Sequence, residues 1–166
     1  MSKTAQSTHG IDVSIVIKSA PNRVMKAFFD AHALAAWWQV KNSVTTPRVL
    51  GPFVVEWATT EFKDDVLGRL GGVFRGTIMQ FDPGRTFFVA DAFWLPPDGE
   101  PIGPMALEIT LSPVEAPPAT SSDDLATTVR VVQSGFEEGA RWRRYYEIVA
   151  HGWERALHSL KMLLEK

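Results

Sequence analysis

The side chains able to do chemistry in this chain are few and scattered. There is no cysteine among its 166 residues, which excludes thiolate nucleophiles, disulfides and cysteine-held metals. The four histidines are His9, His32, His151 and His158. The last two lie seven apart on one helix, on its polar side, so they read as solvated residues and not as metal ligands. Ser134 precedes Gly135 but lacks the G-x-S-x-G turn that presents a serine nucleophile. "GRLGG" at 68–72 is a turn, not a phosphate-binding glycine loop. Asp64 and Asp65 fall in a turn-like stretch and are expected to face water. One set has more weight: Glu56, Arg75 and Asp91, in neighbouring candidate strands. A carboxylate turned into an aromatic cavity would have its pKa raised by desolvation, which suits acid–base work. The favoured alternative is that these residues face solvent or pair across strands.

Positioning any site requires a folded frame, and the composition provides for one. Hydrophobic residues make up 45% and charged residues 22% of the chain, both globular values. A net charge of −2 gives no general attraction to nucleic acid or to an anionic membrane surface. The start, MSKTAQSTHG, is polar and reads as a flexible tail over residues 1–10, followed by one domain over 11–166. No window approaches the ~18 to 20 apolar residues of a membrane helix, and without a signal-like segment a soluble cytoplasmic protein is the default.

Strands and helices follow from periodicity. In IDVSIVIK, Ile11, Val13, Ile15 and Ile17 alternate with the polar Asp12, Ser14 and Lys18 (Val16 excepted), a half-buried strand. Pro21 starts a helix at its preferred first position, with Val24, Ala27 and Phe28 on its apolar face. Asp30 can cap a second short helix, AHALAAWW. Further strands are FVVEWATTE, GVFRGTIMQF, RTFFVADAFW, MALEITLS and TTVRVVQSGF. KDDVLGRLGG and FDPGR read as turns; LPPDGEPIGP and VEAPPATSSDDLA read as loops. The spacing predicts a meandering antiparallel sheet. The last helix, over about 140–164, carries Trp142, Tyr146, Val149, Trp153, Ala156, Leu157, Leu160 and Leu164 on one stripe, with Arg144, Glu147, His151, Glu154, Arg155 and His158 opposite. Gly152 lies at the edge of that stripe, where a missing side chain would let a strand approach at a cost of up to ~1 kcal/mol against alanine.

This order of elements resembles the helix-grip fold of the START and birch-pollen-allergen superfamily. More narrowly, it resembles homologues of the activator of the heat-shock-protein-90 ATPase. The resemblance rests on "SAPNRVMKAFFD", "LAAWW" at 34–38, "PRVLGPFVVEW", "VRVVQSGF", "WRRYY" and "GWERALHSLKMLLE". It implies an α+β domain in which a curved antiparallel sheet grips the long C-terminal helix around a cavity. Superfamily members hold lipids, sterols or polyketides there, and a minority are cyclases or hydrolases. The family name comes from a co-chaperone that contacts the chaperone, but free-standing members of this size lack its other domain, and no invariant catalytic set carries over. Leu50 stands where such proteins often have the first of two glycines, so the local turn is expected to differ.

On that basis the aromatic residues carry the functional expectation. Trp37, Trp38, Phe53, Trp57, Phe74, Phe88, Trp94, Trp142, Tyr146 and Trp153 would line a cavity of ~300 to 1,000 Å³ for an apolar small molecule. The competing reading is a closed core in which each ring buries ~150 to 250 Å². Neither a metal nor a cofactor is expected. A cyclase- or lyase-like enzyme, a chaperone contact and self-association stay open as alternatives.

Overall fold

The periodic signals become a seven-stranded antiparallel sheet with one long helix and two short ones. A computed structural model describes residues 10–114 and 125–166. In chain order the elements are β1 (Ile11–Ile17), α1 (Pro21–Lys26), α2 (Ala31–Trp38), β2 (Asn42–Thr45), β3 (Pro52–Trp57), β4 (Lys63–Asp64), β5 (Gly68–Arg69), β6 (Gly72–Asp82), β7 (Thr86–Leu95), β8 (Ile102–Pro113), β9 (Thr127–Ser134) and α3 (Ala140–Leu164). The main sheet runs β1-β9-β8-β7-β6-β3-β2, and β4 pairs with β5 in a separate two-stranded sheet. The tail expected over 1–10, apart from Gly10, and most of the loop expected over 114–126 lie outside the described residues.

Local chemistry explains the starts of the helices. Pro21 occupies the first turn of α1, and the Asp30 carboxylate accepts from the Ala33 N–H at 3.2 Å to cap α2. At the closed end of the fold, Arg23 donates to the Leu164 carbonyl at 2.6 Å, fastening the last turn of α3. The alternation in β1 buries Ile11 and Ile17 and pairs Ile11 with Gln133 and Ile17 with Thr127. On its outer face Asp12 accepts two bonds from Arg130, at 2.9 and 2.6 Å.

Three parts of the fold differ from the sequence expectation. β2 is an additional edge strand. The stretch expected as a plain turn over 63–72 folds into the small β4–β5 hairpin, and β8 begins inside the loop expected over 95–104. Strands of two to four residues are too short to show a period. Leu50 adopts a left-handed φ of 67°, the conformation a glycine would take more cheaply.

Two shifts of phase matter more for the site. β7 carries an irregularity at Asp91, whose φ is 54°, and its register with β8 slips between Val89 and Ala92. Phe87 and Val89 are therefore buried before the slip, and Ala92 and Trp94 after it. On α3, Trp153, Ala156, Leu157, Leu160 and Leu164 are buried as expected, but toward the N-terminus Tyr145 turns inward and Tyr146 is 37% exposed. At 100° per residue Tyr145 sits about 80° round the helix from Trp153. The contact line thus drifts across the helix as it crosses a twisted sheet.

Candidate functional site

A cavity of about 530 Å³ lies between α2, α3, the inner face of the sheet and the β4–β5 hairpin. Flat rings form a large part of its wall. At the end of α2, Trp37 and Trp38 stack with centroids 5.1 Å apart and planes 6° from parallel. Trp57 meets Trp38 edge-on at 5.3 Å, and Trp153 lies against Trp38 at 4.8 Å. Across the cavity, Trp94 stacks on Tyr145 at 5.3 Å, with Phe74 beside them in the wall.

The indoles are held by their N–H groups. Trp37 donates to the Ala27 carbonyl at 2.9 Å, Trp57 to Trp38 at 3.0 Å and Trp94 to Gly71 at 2.8 Å. Trp153 donates to Oε1 of Gln133 at 2.9 Å. Gln133 is 2% exposed, and its Nε2 donates in turn to the Tyr145 hydroxyl at 3.2 Å and the Met105 sulfur at 3.4 Å. Burial pushes the Tyr145 phenol well above its ordinary pKa, against a smaller opposing effect of its bond with Gln133. It is neutral at physiological pH.

The structure brings together six of the ten aromatic residues expected in a cavity: Trp37, Trp38, Trp57, Phe74, Trp94 and Trp153. The other four lie elsewhere. Phe53 is fully buried in a separate cluster with Phe29 and Phe87. Phe88 is turned to the opposite face of the sheet from Phe87, because the slip at Asp91 reverses the parity that links it to Trp94. Trp142 and Tyr146 pack edge-on against Phe136, on the far side of the drift that brings Tyr145 inward.

Gly152 also departs from expectation. No strand approaches it; a Cβ built there meets nothing within 4 Å, and the residue lines the cavity. Its missing side chain leaves open space. Asp64, expected to face water, has a side chain only 6% exposed, and it pairs with Arg144 of α3 at 2.7 Å. It also accepts from the N–H groups of Val66 and Leu67, each at 3.0 Å. The Arg144 guanidinium is the main reason its pKa is held below the usual carboxylate value, with the two backbone donors adding to it. A second clamp runs from Arg69 to Asp98 through bonds of 2.9 and 2.8 Å. Together they hold the hairpin so that Leu67, with Leu70 just beyond β5, faces the cavity.

The acid–base set does not assemble there. Glu56 accepts from the Asn42 side chain at 2.8 Å, the exposed Arg75 lies over Phe93 at 5.7 Å, and Asp91 is exposed. Among the described residues no three metal-ligating side chains converge. Gln133, Tyr145, Leu67 and Leu70 are site residues that sequence reasoning missed. Gln133 had left a signal, because it shares the inward parity of Val129 and Val131 in β9.

Comparison with known proteins now bears on this geometry. A search of curated proteins finds no match. Among solved structures, the chain is similar to protein MLL2253 from Mesorhizobium loti, with 22% identity over 94% of this chain and 96% of that one and a TM-score of 0.66. It is similar to protein CV1439 from Chromobacterium violaceum, with 24% identity over 95% and 99% and a TM-score of 0.63. It is also similar to the solution structure of the Aha1 dimer from Colwellia psychrerythraea, with 21% identity over 94% and 96% and a TM-score of 0.59. These likenesses establish the helix-grip fold. The family described as Activator of Hsp90 ATPase homolog 1-like protein matches residues 18–165, and with nearly the whole chain covered, the protein belongs to that family.

Proposed function

We propose that the protein binds an apolar small molecule in the cavity between α3 and the sheet. The family and the fold support a ligand-binding or cyclase-like role in general. The observation that favours binding is the character of the wall. It is a cavity of about 530 Å³ in which six aromatic rings and several aliphatic side chains surround just two buried polar ones, Gln133 and Tyr145. That volume lies within the ~300 to 1,000 Å³ range of small-molecule sites, and an apolar lining with a few placed polar groups is their usual composition. An acid–base enzyme would want a carboxylate or histidine at the reacting centre. The ionisable groups in this wall are the neutral Tyr145 and the exposed Arg155.

Native mass spectrometry of the protein purified from cells, paired with denaturing analysis of the same sample, tests this reading. A discrete extra mass lost on denaturation is the expected result, and its formula gives the ligand class. The reading fails if the protein is bare and also gives no saturable fluorescence with 1-anilinonaphthalene-8-sulfonate.

A further inference from the structure

The polar corner of the cavity has a direction, and the direction points to a ligand class. An indole N–H can only donate, so the bond from Trp153 Nε1 requires the oxygen of the Gln133 amide on that side. The amide nitrogen then faces Tyr145, whose oxygen must accept. Both protons of the Gln133 amide nitrogen are engaged, one by Tyr145 and one by Met105. The Tyr145 hydroxyl keeps its own proton, and that proton has no acceptor among the described residues. Tyr145 is 4% exposed and lines the cavity, where an unsatisfied hydroxyl donor is costly.

Gln39, Arg155 and Ser159 also line the wall, but they are exposed to solvent. Of the other indoles, Trp37, Trp57 and Trp94 donate to backbone carbonyls, and Trp38, which donates to no protein atom among the described residues, is only half-buried, within reach of solvent. We infer that the cavity takes a neutral, flat carbonyl compound, such as an aryl ketone, quinone or lactone, whose oxygen accepts a hydrogen bond from the Tyr145 hydroxyl while its rings lie among the indoles. This inference rests on the proposed ligand binding and specifies its chemistry. A carboxylate or ammonium group would meet no buried counter-charge in this corner. A pure hydrocarbon would leave the phenol unsatisfied.

Two probes of the same shape separate these cases: 2-acetylnaphthalene, and 2-isopropenylnaphthalene, in which a CH₂ replaces the carbonyl oxygen. Their affinities are measured on the full chain by intrinsic tryptophan fluorescence, for the wild type and for Tyr145→Phe. The bound ketone is also followed by its infrared carbonyl stretch with a ¹³C label. The inference expects the band of the bound ketone to fall below its position in hexane. It also expects the preference for ketone over hydrocarbon to drop about five- to tenfold in Tyr145→Phe, the worth of one neutral hydrogen bond. If both probes bind but the band stays at its hexane position and the preference is unchanged, the Tyr145 anchor is wrong and the apolar cavity stands. If neither probe binds, the cavity reading falls and the anchor with it. Should Tyr145→Phe fail to fold, the wild-type infrared band decides alone.

Discussion

Two aromatic clusters sit side by side under the helices, and they differ in kind. One consists of phenylalanine: Phe28, Phe29, Phe53, Phe81 and Phe87, with neighbouring centroids 5.0 to 6.1 Å apart. Phe28, Phe53 and Phe87 have no exposed surface and form its closed centre, with Phe29 and Phe81 partly buried at its edge. The other consists of tryptophan and tyrosine, with Phe74 beside them, and it surrounds the cavity. Trp37 joins the two, edge-on to Phe28 at 5.0 Å and stacked on Trp38. The difference follows from the side chains. A phenylalanine has no polar handle and is fixed only by being packed on all sides. A tryptophan fastened through its N–H is held at one end, so a ring face can border empty space. Hydrogen bonds to Ala27, Trp38, Gly71 and Gln133 thus let one half of the molecule stay open without losing its shape.

That contrast is most directly broken from the closed side. Phe87 touches Phe28, Phe29 and Phe53, so Phe87→Ala should cost ~3 to 5 kcal/mol of stability by urea unfolding, the range for large core truncations. Where the variant is still folded, its affinity for a cavity probe should be unchanged. A large loss of affinity would mean that the two clusters act as one. The next effect belongs to the open side. Gln133→Leu keeps the volume but leaves the Trp153 N–H without its acceptor in a buried site, for a loss of ~1 to 3 kcal/mol. It should also alter the near-ultraviolet circular dichroism that the clustered indoles produce. A neutral outcome in both measurements would show that packing, and not the hydrogen bond, holds Trp153.

Gly152 sharpens the comparison because filling space should there cost nothing. Its Cβ position meets no atom within 4 Å, so Gly152→Ala should stabilise α3 by up to ~1 kcal/mol through helix propensity alone. Gly152→Leu extends into the cavity and should weaken binding of 1-anilinonaphthalene-8-sulfonate by at least about tenfold, ~1.4 kcal/mol, while the unfolding midpoint holds or rises. A destabilised Gly152→Leu would place the space elsewhere.

The closed half was the more legible in sequence. Alternation in β1 and β8, the proline and aspartate that start α1 and α2, and the aliphatic end of α3 are period and capping signals, and each was found where it was read. The open half depends on breaks in period. Phe87 and Phe88 are adjacent, and only the slip at Asp91 decides which of them shares the inward face with Trp94. Tyr145 and Tyr146 are also adjacent, and the drift of the contact line along α3 decides between them. Gln133 was readable as a polar residue at an inward strand position, but two of its partners, Tyr145 and Trp153, come from a helix more than ten residues away. The hairpin at 63–72 could not be read from pattern, since two-residue strands have no period and its anchors, Arg144 and Asp98, are distant in the chain.

That hairpin sets the smallest expected effect, and the one most specific to the open half. Asp64 gathers Arg144 and the Val66 and Leu67 amides onto one carboxylate, and Leu67, 3% exposed, closes the cavity wall. Because the folded-state pKa of Asp64 lies below its unfolded value of about 3.8, its contribution is complete above the unfolded value. It is lost as pH falls through the lower, folded one. Hydrogen-exchange protection factors for the Leu67 amide should therefore hold steady from pH 7 to pH 5. Asp64→Asn, which removes the charge but keeps the size, should lower protection at Val66 and Leu67 severalfold at pH 7 and leave Val89, in the buried ladder of β7, untouched. Equal loss at Val89 would make Asp64 a support of the whole fold. No loss at Leu67 would mean that the packing of Leu67 and Leu70 alone holds the hairpin down. Selective loss would identify this hairpin as the part of the wall that opens first, and a ligand would then leave faster from Asp64→Asn than from the wild type.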